Sequence, residues 1–246
     1  MRGGTCVFVG VGVLLKNTTI PSREGLRTRG DVHAFADADD IQQTLYSQHL
    51  KRLFDVVFAI LALPFLLPIL VVMFFLARSD GGPVLFRHMR VGRGGREFGC
   101  WKIRTMCVDA DKVLEDLLRS NEAARHEWNQ HFKLKNDPRI TRFGKVLRKT
   151  SLDELPQLLN VLAGHMSIVG PRPVTAPELE RFGSAGRYYK AVRPGMTGPW
   201  QVRGRRNNDL ESRYALDVDY VKTMSFPKDL RHILATIPEV MFCHGN

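Results

Sequence analysis

Residues 53–77 form an apolar run broken by a single charge, Asp55. A helix of about 25 residues is long enough to cross a ~30 Å hydrocarbon core, and longer than most buried core helices. Pro64 and Pro68 stand in its middle, and each removes a backbone donor and bends a helix. Lys51 and Arg52 precede the run, and Arg78, Arg87 and Arg90 follow it. The bias of cations toward the cytoplasmic side pulls both ends to the same face. Two geometries satisfy these constraints. One is a straight, kinked transmembrane helix. The other enters the bilayer, breaks at the prolines and returns, and its freed carbonyls need partners inside the protein because lipid offers none. Asp55 is expected at headgroup depth, paired with Arg52.

At 246 residues the chain has room for one substantial domain with extensions. Its net charge of +11 asks for an acidic partner: nucleic acid, anionic lipid or a phosphate-bearing substrate. Cys6, Cys100, Cys107 and Cys243 have no paired spacing, so neither a disulfide framework nor a zinc site is expected, and a reducing compartment fits. No HExxH, Walker-type or GxGxxG motif occurs. Residues 1–48 read as an N-terminal extension. Thr5 to Leu15 is apolar but too short to span a bilayer, and residues 16–40 have the polar composition of a mobile tail.

Ser151-Leu152-Asp153-Glu154-Leu155-Pro156-Gln157 reads as a helix start. Ser151 is placed to N-cap, and Glu154 follows at capping-box spacing. Leu152, Leu155, Leu159 and Leu162 recur at helical spacing and predict a buried face, with Asp153 roughly opposite. Two carboxylates then stand at the positive end of a helix dipole, beside a basic run of Arg139, Arg142, Lys145, Arg148 and Lys149. Such a group suits metal-assisted chemistry on a phosphate, and it equally suits a capped, solvated helix start.

Residues 83–105 predict a β-hairpin about Gly92-Arg93-Gly94-Gly95. Alternation on its second arm puts Lys102 and Arg104 on one face, as a phosphate-holding pair or a solvated strand face. Residues 109–132 predict one charged amphipathic helix with His126 and His131 on the surface, ended by Asn136-Asp137-Pro138. In Val169-Gly170-Pro171-Arg172-Pro173 two prolines hold the chain rigid around an arginine, for phosphate binding or as a connector. The stretch from Arg193 to Arg205 is turn-rich, with cations, Gln201 and Trp200. It can grip a nucleotide or serve as a structured loop. Residues 209–220 predict a helix carrying Asp217 and Asp219. Residues 226–242 predict an amphipathic helix with Leu230, Ile233, Leu234, Ile237, Val240 and Met241 on one side and Lys228, Arg231 and His232 opposite. It either lies in the membrane interface or packs on the core.

In this order, Lys51-Arg52-Leu53-Phe54-Asp55 opening the proline-broken helix, Lys102-Ile103-Arg104-Thr105-Met106, Ser151 to Gln157, Val169 to Pro173 and Arg193-Pro194-Gly195-Met196-Thr197-Gly198 resemble the bacterial monotopic phosphoglycosyl transferases, the bacterial sugar transferase family. The likeness covers roughly residues 49–242 and is that of a small member limited to the catalytic domain. It implies an α+β, mostly helical monotopic protein with a re-entrant helix over 49–79 broken at Pro64 and Pro68, a β-hairpin and interfacial amphipathic helices. Residues 80–246 form the catalytic domain, on the cytoplasmic face of the bacterial inner membrane, with both chain ends cytoplasmic.

The same resemblance implies transfer of a sugar 1-phosphate from a UDP-sugar to a polyprenyl (undecaprenyl) phosphate, with UMP released and Mg²⁺ as cofactor. Asp153 is then the nucleophile toward the β-phosphate and Glu154 the metal ligand. Lys102, Arg104, Arg148 and Arg172 contact phosphates, and Gln201, Arg205 and Asp217 bind the nucleotide sugar. No nucleic acid is involved. The identity of the sugar, the pathway and the oligomeric state stay open. Two positions depart from the family pattern: Leu67 stands where Ser-Pro is usual at the break, and His88 replaces a common glutamine. A membrane-tethered basic module for anionic lipid or nucleic acid is the rival reading. It leaves the Asp153–Glu154 pair unexplained.

Overall fold

The computed structural model describes residues 44–78, 81–131, 134–204 and 210–241. The expectation of a mobile extension falls almost wholly outside them, as does Arg205. After a π-type turn at Tyr46–Leu50 comes α1 (Lys51–Arg78), then the strands β1 (Leu85–Val91) and β2 (Glu97–Ile103) and the helices α2 (Ala110–Ser120), α3 (Glu122–His131) and α4 (Arg142–Thr150). A 3₁₀ turn at Leu152–Glu154 leads to α5 (Gln157–Leu162), β3 (Ser167–Val169), α6 (Ala176–Glu180), α7 (Gly186–Ala191) and β4 (Gly195–Thr197). A second π-type turn at Trp200–Gly204 precedes α8 (Leu210–Thr223) and α9 (Phe226–Met241). The protein is mostly helical with little sheet, as the sequence predicts.

The long helix α1 runs through Pro64 and Pro68 as one element of 28 residues. Most of its apolar side chains are exposed, Phe65 by 80%. An apolar surface of this extent is a membrane or partner surface in a folded protein. The few buried positions on α1 fasten it to the rest. Ala59 joins the main core with Leu158, Val161 and Val169. Met73 and Ala77 join a smaller cluster with Val84, Ile103 and Leu147, against which Leu70, Phe143, Leu152 and Leu155 pack.

Asp55 is not a headgroup residue and does not pair with Arg52. It is buried, and its carboxylate accepts from Ser167 Oγ at 2.9 Å and from the Ile168 amide at 3.0 Å. Arg52 instead donates to the carbonyls of Val161 and Leu162, the unsatisfied end of α5. Lys51 reaches across to Asp229 of α9 at 2.6 Å, and Tyr220 donates to the same carboxylate at 2.7 Å. Charges at the mouth of an apolar helix thus act as polar fasteners, Lys51 and Asp55 buried and Arg52 half-buried, each with a partner.

The hairpin forms as predicted, in the register Leu85↔Ile103 to Val91↔Glu97. Gly94 and Gly95 take φ of 71° and 77° at its turn, where a side chain would be strained. The free edge of β2 is covered by Asn160 of α5. Its Oδ1 accepts the Trp101 amide at 2.9 Å and its Nδ2 donates to the Gly99 carbonyl at 2.8 Å. Asn160→Ala leaves both backbone groups buried without partners. A loss of roughly 2 to 3 kcal/mol in unfolding free energy is expected, measurable by denaturant titration in mild detergent.

Three predicted helical details change. Ser151 does not cap a following helix: it ends α4 in the left-handed region at φ 57°, its amide donating back to the Arg148 and Leu147 carbonyls. The residues after it form a 3₁₀ turn, and α5 begins only after Pro156, whose fixed φ suits a helix entry. The buried face is therefore Leu158 and Val161, while Leu159 is 47% exposed and Asp153 turns inward. The helix expected over 109–132 splits at Asn121, whose extended backbone and side-chain bond to the Ala124 amide start α3 afresh. A capping box does occur, at Thr175 and Glu178 of α6.

On α9 the buried side is Asp229, not an apolar residue, and Ile233 packs on the core beside it. Phe226, Leu230, Leu234 and Ile237 face outward. The apolar stripe read from the sequence is thus real but mostly unburied.

Candidate functional site

Two separate sequence motifs meet at backbone level. The strands β3 and β4 pair in parallel through Ser167↔Gly195 and Val169↔Thr197. The pairing continues past the strand ends, with the Gly195 amide donating to Pro171 O at 2.8 Å and the Gly170 amide donating to Thr197 O at 2.9 Å. A Cβ on Gly195 or Gly198 would collide with the Gly170 backbone, so the approach requires glycine. The effect is to lock Pro171-Arg172-Pro173 against the loop that carries Trp200 and Gln201.

Arg172 lies on one side of a cleft of about 410 Å³. Lys102, Glu154 and Gln201 share its walls, together with Arg90, Cys100, Gln157, Pro173 and Met196. Lys102 and Cys100 come from alternate positions of β2, which places both side chains on one face. Lys102 Nζ lies 2.7 Å from Glu154 Oε1 and 3.9 Å from Asp153 Oδ2. Asp153 is 8% exposed. Burial pushes its carboxyl up to about 6 and the neighbouring Glu154 charge adds to this, while Lys102 and Arg148 pull the other way. Burial likewise raises the Cys100 thiol to about 11, so it is a neutral wall residue.

Of the predicted phosphate contacts, Lys102 and Arg172 line the cleft. Arg148 sits behind Asp153, its Nε donating to Thr105 Oγ1 at 2.9 Å. Arg104 is placed otherwise. Its guanidinium donates to the carbonyls of Pro83, Met106 and Ala77 and ties the end of α1 to the hairpin. It lies one step beyond the last residue of β2, where strand alternation no longer sets its direction. Arg139, from the predicted basic run, is buried in a pair with Asp137 at 2.7 Å.

Asp217 belongs to a second group behind Arg172. It is 3% exposed, and neither carboxylate oxygen has a hydrogen-bond partner among the described residues. Burial lifts it to about 7 against the pull of Arg213 and Arg172. Arg213, also buried, leaves Nε and Nη2 without partners, as does Gln201 its Oε1. Arg172 and Arg213 each lie 5.0 Å from the Trp200 ring. Orphaned donors and acceptors gathered beside a cleft form a place prepared for a polar ligand. Sequence reasoning missed Arg213 and Arg90. The first stands four residues before Asp217, hence on the same helix face. The second shares a hairpin face with Cys100 and Lys102, which the glycine turn alone would have revealed.

Glu154 offers hard oxygen donors at the cleft and Asp153 lies buried next to it in sequence, while no group of three or more acidic, histidine or cysteine side chains that could hold a metal ion is gathered among the described residues. That donor set fits Mg²⁺, which commonly takes one or two carboxylates and completes its shell with water and substrate phosphate.

Carboxylates beside fixed cations thus stand on a mostly helical fold with one exposed helix long and apolar enough to cross a membrane. Residues 46–243 match the family model described as bacterial sugar transferase, and the chain belongs to that family. It is 49% identical over 197 residues to the exopolysaccharide production protein ExoY of Sinorhizobium fredii, covering 80% of this chain and 87% of that protein. It is 51% identical over 195 residues to the UDP-galactose-lipid carrier transferase of Erwinia amylovora, 79% of this chain and 41% of that one. With the undecaprenyl-phosphate galactose phosphotransferase of Salmonella typhimurium the identity is 43% over 232 residues, 91% of this chain and 49% of that protein. The chain thus spans less than half the length of these last two relatives, 41% and 49%.

Proposed function

We propose that the protein moves a sugar 1-phosphate from a UDP-sugar to a polyprenyl phosphate at the membrane surface. The observation that carries this reading is the buried Asp153 carboxylate 3.9 Å from Lys102, whose side chain lines a cleft shared with Arg172 and Glu154. Both substrates are anions that repel each other and any carboxylate, so the site must supply positive charge. Lys102 and Arg172 supply it at the cleft and Arg148 from behind.

In the first step an Asp153 oxygen bonds to the β-phosphorus, and the bond from that phosphorus to the bridging oxygen breaks. UMP leaves, and the sugar phosphate stays on Asp153. In the second, an acceptor phosphate oxygen attacks the same phosphorus, the bond to Asp153 breaks, and polyprenyl diphosphate sugar departs. Two steps let each anion enter in turn. Glu154 would hold Mg²⁺, which when bound would neutralise charge on the phosphate oxygens. Gln201 and Asp217 orient the nucleotide sugar. Relatives at 51% and 43% identity are named for galactose, and others at 38% and 40% for glucose, so UDP-galactose and UDP-glucose are the first donors to try.

The acceptor resides in the bilayer, and the exposed surface of α1 supports a membrane site for Asp153, because Leu152 and Leu155 on either side of it pack against the Met73 cluster of α1. Re-entry at Pro64 and Pro68 keeps both ends of α1 on the cytoplasmic face, and α9 lies in the interface through Phe226, Leu230, Leu234 and Ile237. The test is UMP release from UDP-galactose or UDP-glucose with undecaprenyl phosphate in reconstituted membranes. Release is expected to stop with a chelator and return with Mg²⁺. A protein that binds both substrates and releases no UMP from any hexose or N-acetylhexosamine donor is a binding module instead.

A further inference from the structure

We propose that Arg90 is a further cation of the cleft that binds a phosphate oxygen of the nucleotide sugar, and that Glu178 and His88 are positioning residues that hold its guanidinium there. This rests on the transferase reading above and adds a donor contact to it. The cleft wall carries three cations, Arg90, Lys102 and Arg172, against one carboxylate, Glu154. Arg90 and Arg172 are joined through the backbone. The amide of Val91, next to Arg90, donates at 2.9 Å to the carbonyl of Val174, two residues past Arg172. The Tyr189 hydroxyl donates to the Val91 carbonyl at 2.6 Å and pins the same point. Cations gathered on one wall repel each other until an anion lies between them.

Arg90 is not used up by its ion pair. Its side chain is 14% exposed, and Nη1 donates to Glu178 Oε2 at 3.0 Å. The same oxygen accepts from the Thr175 amide and hydroxyl at 2.8 and 2.9 Å, so the start of α6 already fixes it. Nη2 lies 2.9 Å from His88 Nδ1. Arginine only donates, so this ring nitrogen accepts, and the imidazole is neutral with its proton on Nε2. Two of the five N–H groups of Arg90 are thus engaged among the described residues, and three are left for a ligand. The clamp is also sensitive to acid, because a proton on Nδ1 sets N–H against N–H and frees Arg90 on that side. The charged groups about the ring are Arg90 on its own strand, Lys102 on β2 and Glu178 on α6. The neutral Cys100 thiol stands opposite, and the Phe86 ring lies beside it. Partial burial, Arg90 and Lys102 hold the imidazole below its ordinary range, and Glu178 opposes them. Arg90 opposes Phe98, four residues before Lys102 on β2. The acceptor has no polar group beyond its phosphate, whereas the donor carries a second phosphate, so a cation set along the hairpin from Lys102 serves the donor.

The measurement is UMP release by the full chain in reconstituted membranes, with KM read separately for the UDP-hexose and for undecaprenyl phosphate. Arg90→Gln is expected to raise the donor KM about tenfold or more, with a smaller change in kcat and none in the acceptor KM. His88→Gln keeps an oxygen that accepts from Arg90 and loses the titrating proton, while His88→Ala loses both. The donor KM of His88→Ala is expected to exceed that of His88→Gln about threefold at pH 7.5. Between pH 7.5 and pH 5 the parent's donor KM is expected to rise about threefold relative to that of His88→Gln. The titrations of Asp153 and Asp217 are common to both proteins and cancel in that ratio. His88 is exposed, so its variants carry the test even where Arg90→Gln fails to fold. An Arg90→Gln protein that turns over with the parent's donor KM overturns the proposal and leaves the transferase reading standing. So does one whose loss falls on the acceptor KM, since Arg90 would then serve the acceptor. Parallel pH profiles for parent and His88→Gln, with His88→Ala no different, overturn the clamp. A parent that releases no UMP overturns the transferase reading and this inference with it.

Discussion

Asp153→Asn is expected to lower turnover by about three orders of magnitude or more, roughly 4 kcal/mol on the barrier. An amide nitrogen or oxygen in the same place cannot form a stable phosphoryl ester, and among the described residues the neighbouring carboxylate is held otherwise. Glu154 is the nearest, and Lys102 Nζ lies against its Oε1 at 2.7 Å. The loss has to be separated from unfolding, and the geometry says how. Asp153 is buried, so its charge is a burden on the folded state, and asparagine removes that burden without changing shape. The variant is therefore expected to melt no lower than the parent while losing activity. The sharper measurement omits the acceptor. With UDP-sugar alone the parent should release UMP in a burst stoichiometric with enzyme, and Asp153→Asn should release none. A full burst from the variant excludes the covalent role.

Features set by neighbours in the chain were legible in the sequence. The hairpin followed from a glycine turn between alternating arms, and Lys102 followed from its strand parity. The Asp153–Glu154 pair was visible because the two residues are adjacent. What stayed hidden was set by distant pairing. β3 and β4 are each three residues long and meet across α6 and α7, so no local pattern announces them. Without that pairing, Arg172 and Gln201 had no reason to share a cleft. The Ser151 cap failed because the same serine suits a helix start or a helix end. The preceding helix took it, and the carboxylates moved into a 3₁₀ turn. Asp55 was misjudged because a charge within an apolar run suggests a membrane surface, and only the fold reveals that Ser167 and the Ile168 amide stand ready to satisfy it. The conflicts between sequence pattern and fold thus gather where α1 joins the site-bearing layer.

Asp217 yields the second large effect, on stability. An ordinary aspartate has a pKa near 3.9, and burial holds Asp217 at about 7 in the folded chain. Between roughly pH 4 and pH 7 the folded state therefore binds a proton that the unfolded state has released. The stability this group contributes is fully present below about pH 4 and is lost as pH rises to 7. The span is about three pH units, or roughly 3 to 4 kcal/mol. Asparagine mimics the protonated acid and does not titrate. Asp217→Asn is accordingly expected to come within about 1 kcal/mol of the parent at pH 4.5 and to exceed it by roughly 4 kcal/mol at pH 8, read from denaturant midpoints without nucleotide sugar. Such a gain from deleting a carboxylate makes sense only if the charge is kept for a ligand. Arg213 and Gln201 likewise hold buried polar atoms without partners, so all three lean toward a group that the free chain lacks. The same substitution should then raise KM for the UDP-sugar tenfold or more, about 1.4 kcal/mol of lost binding, with a smaller change in kcat. A variant whose stability still falls between pH 5 and 7 as the parent's does would place the titrating group elsewhere. Unchanged KM would make the orphaned cluster structural rather than a nucleotide-sugar site.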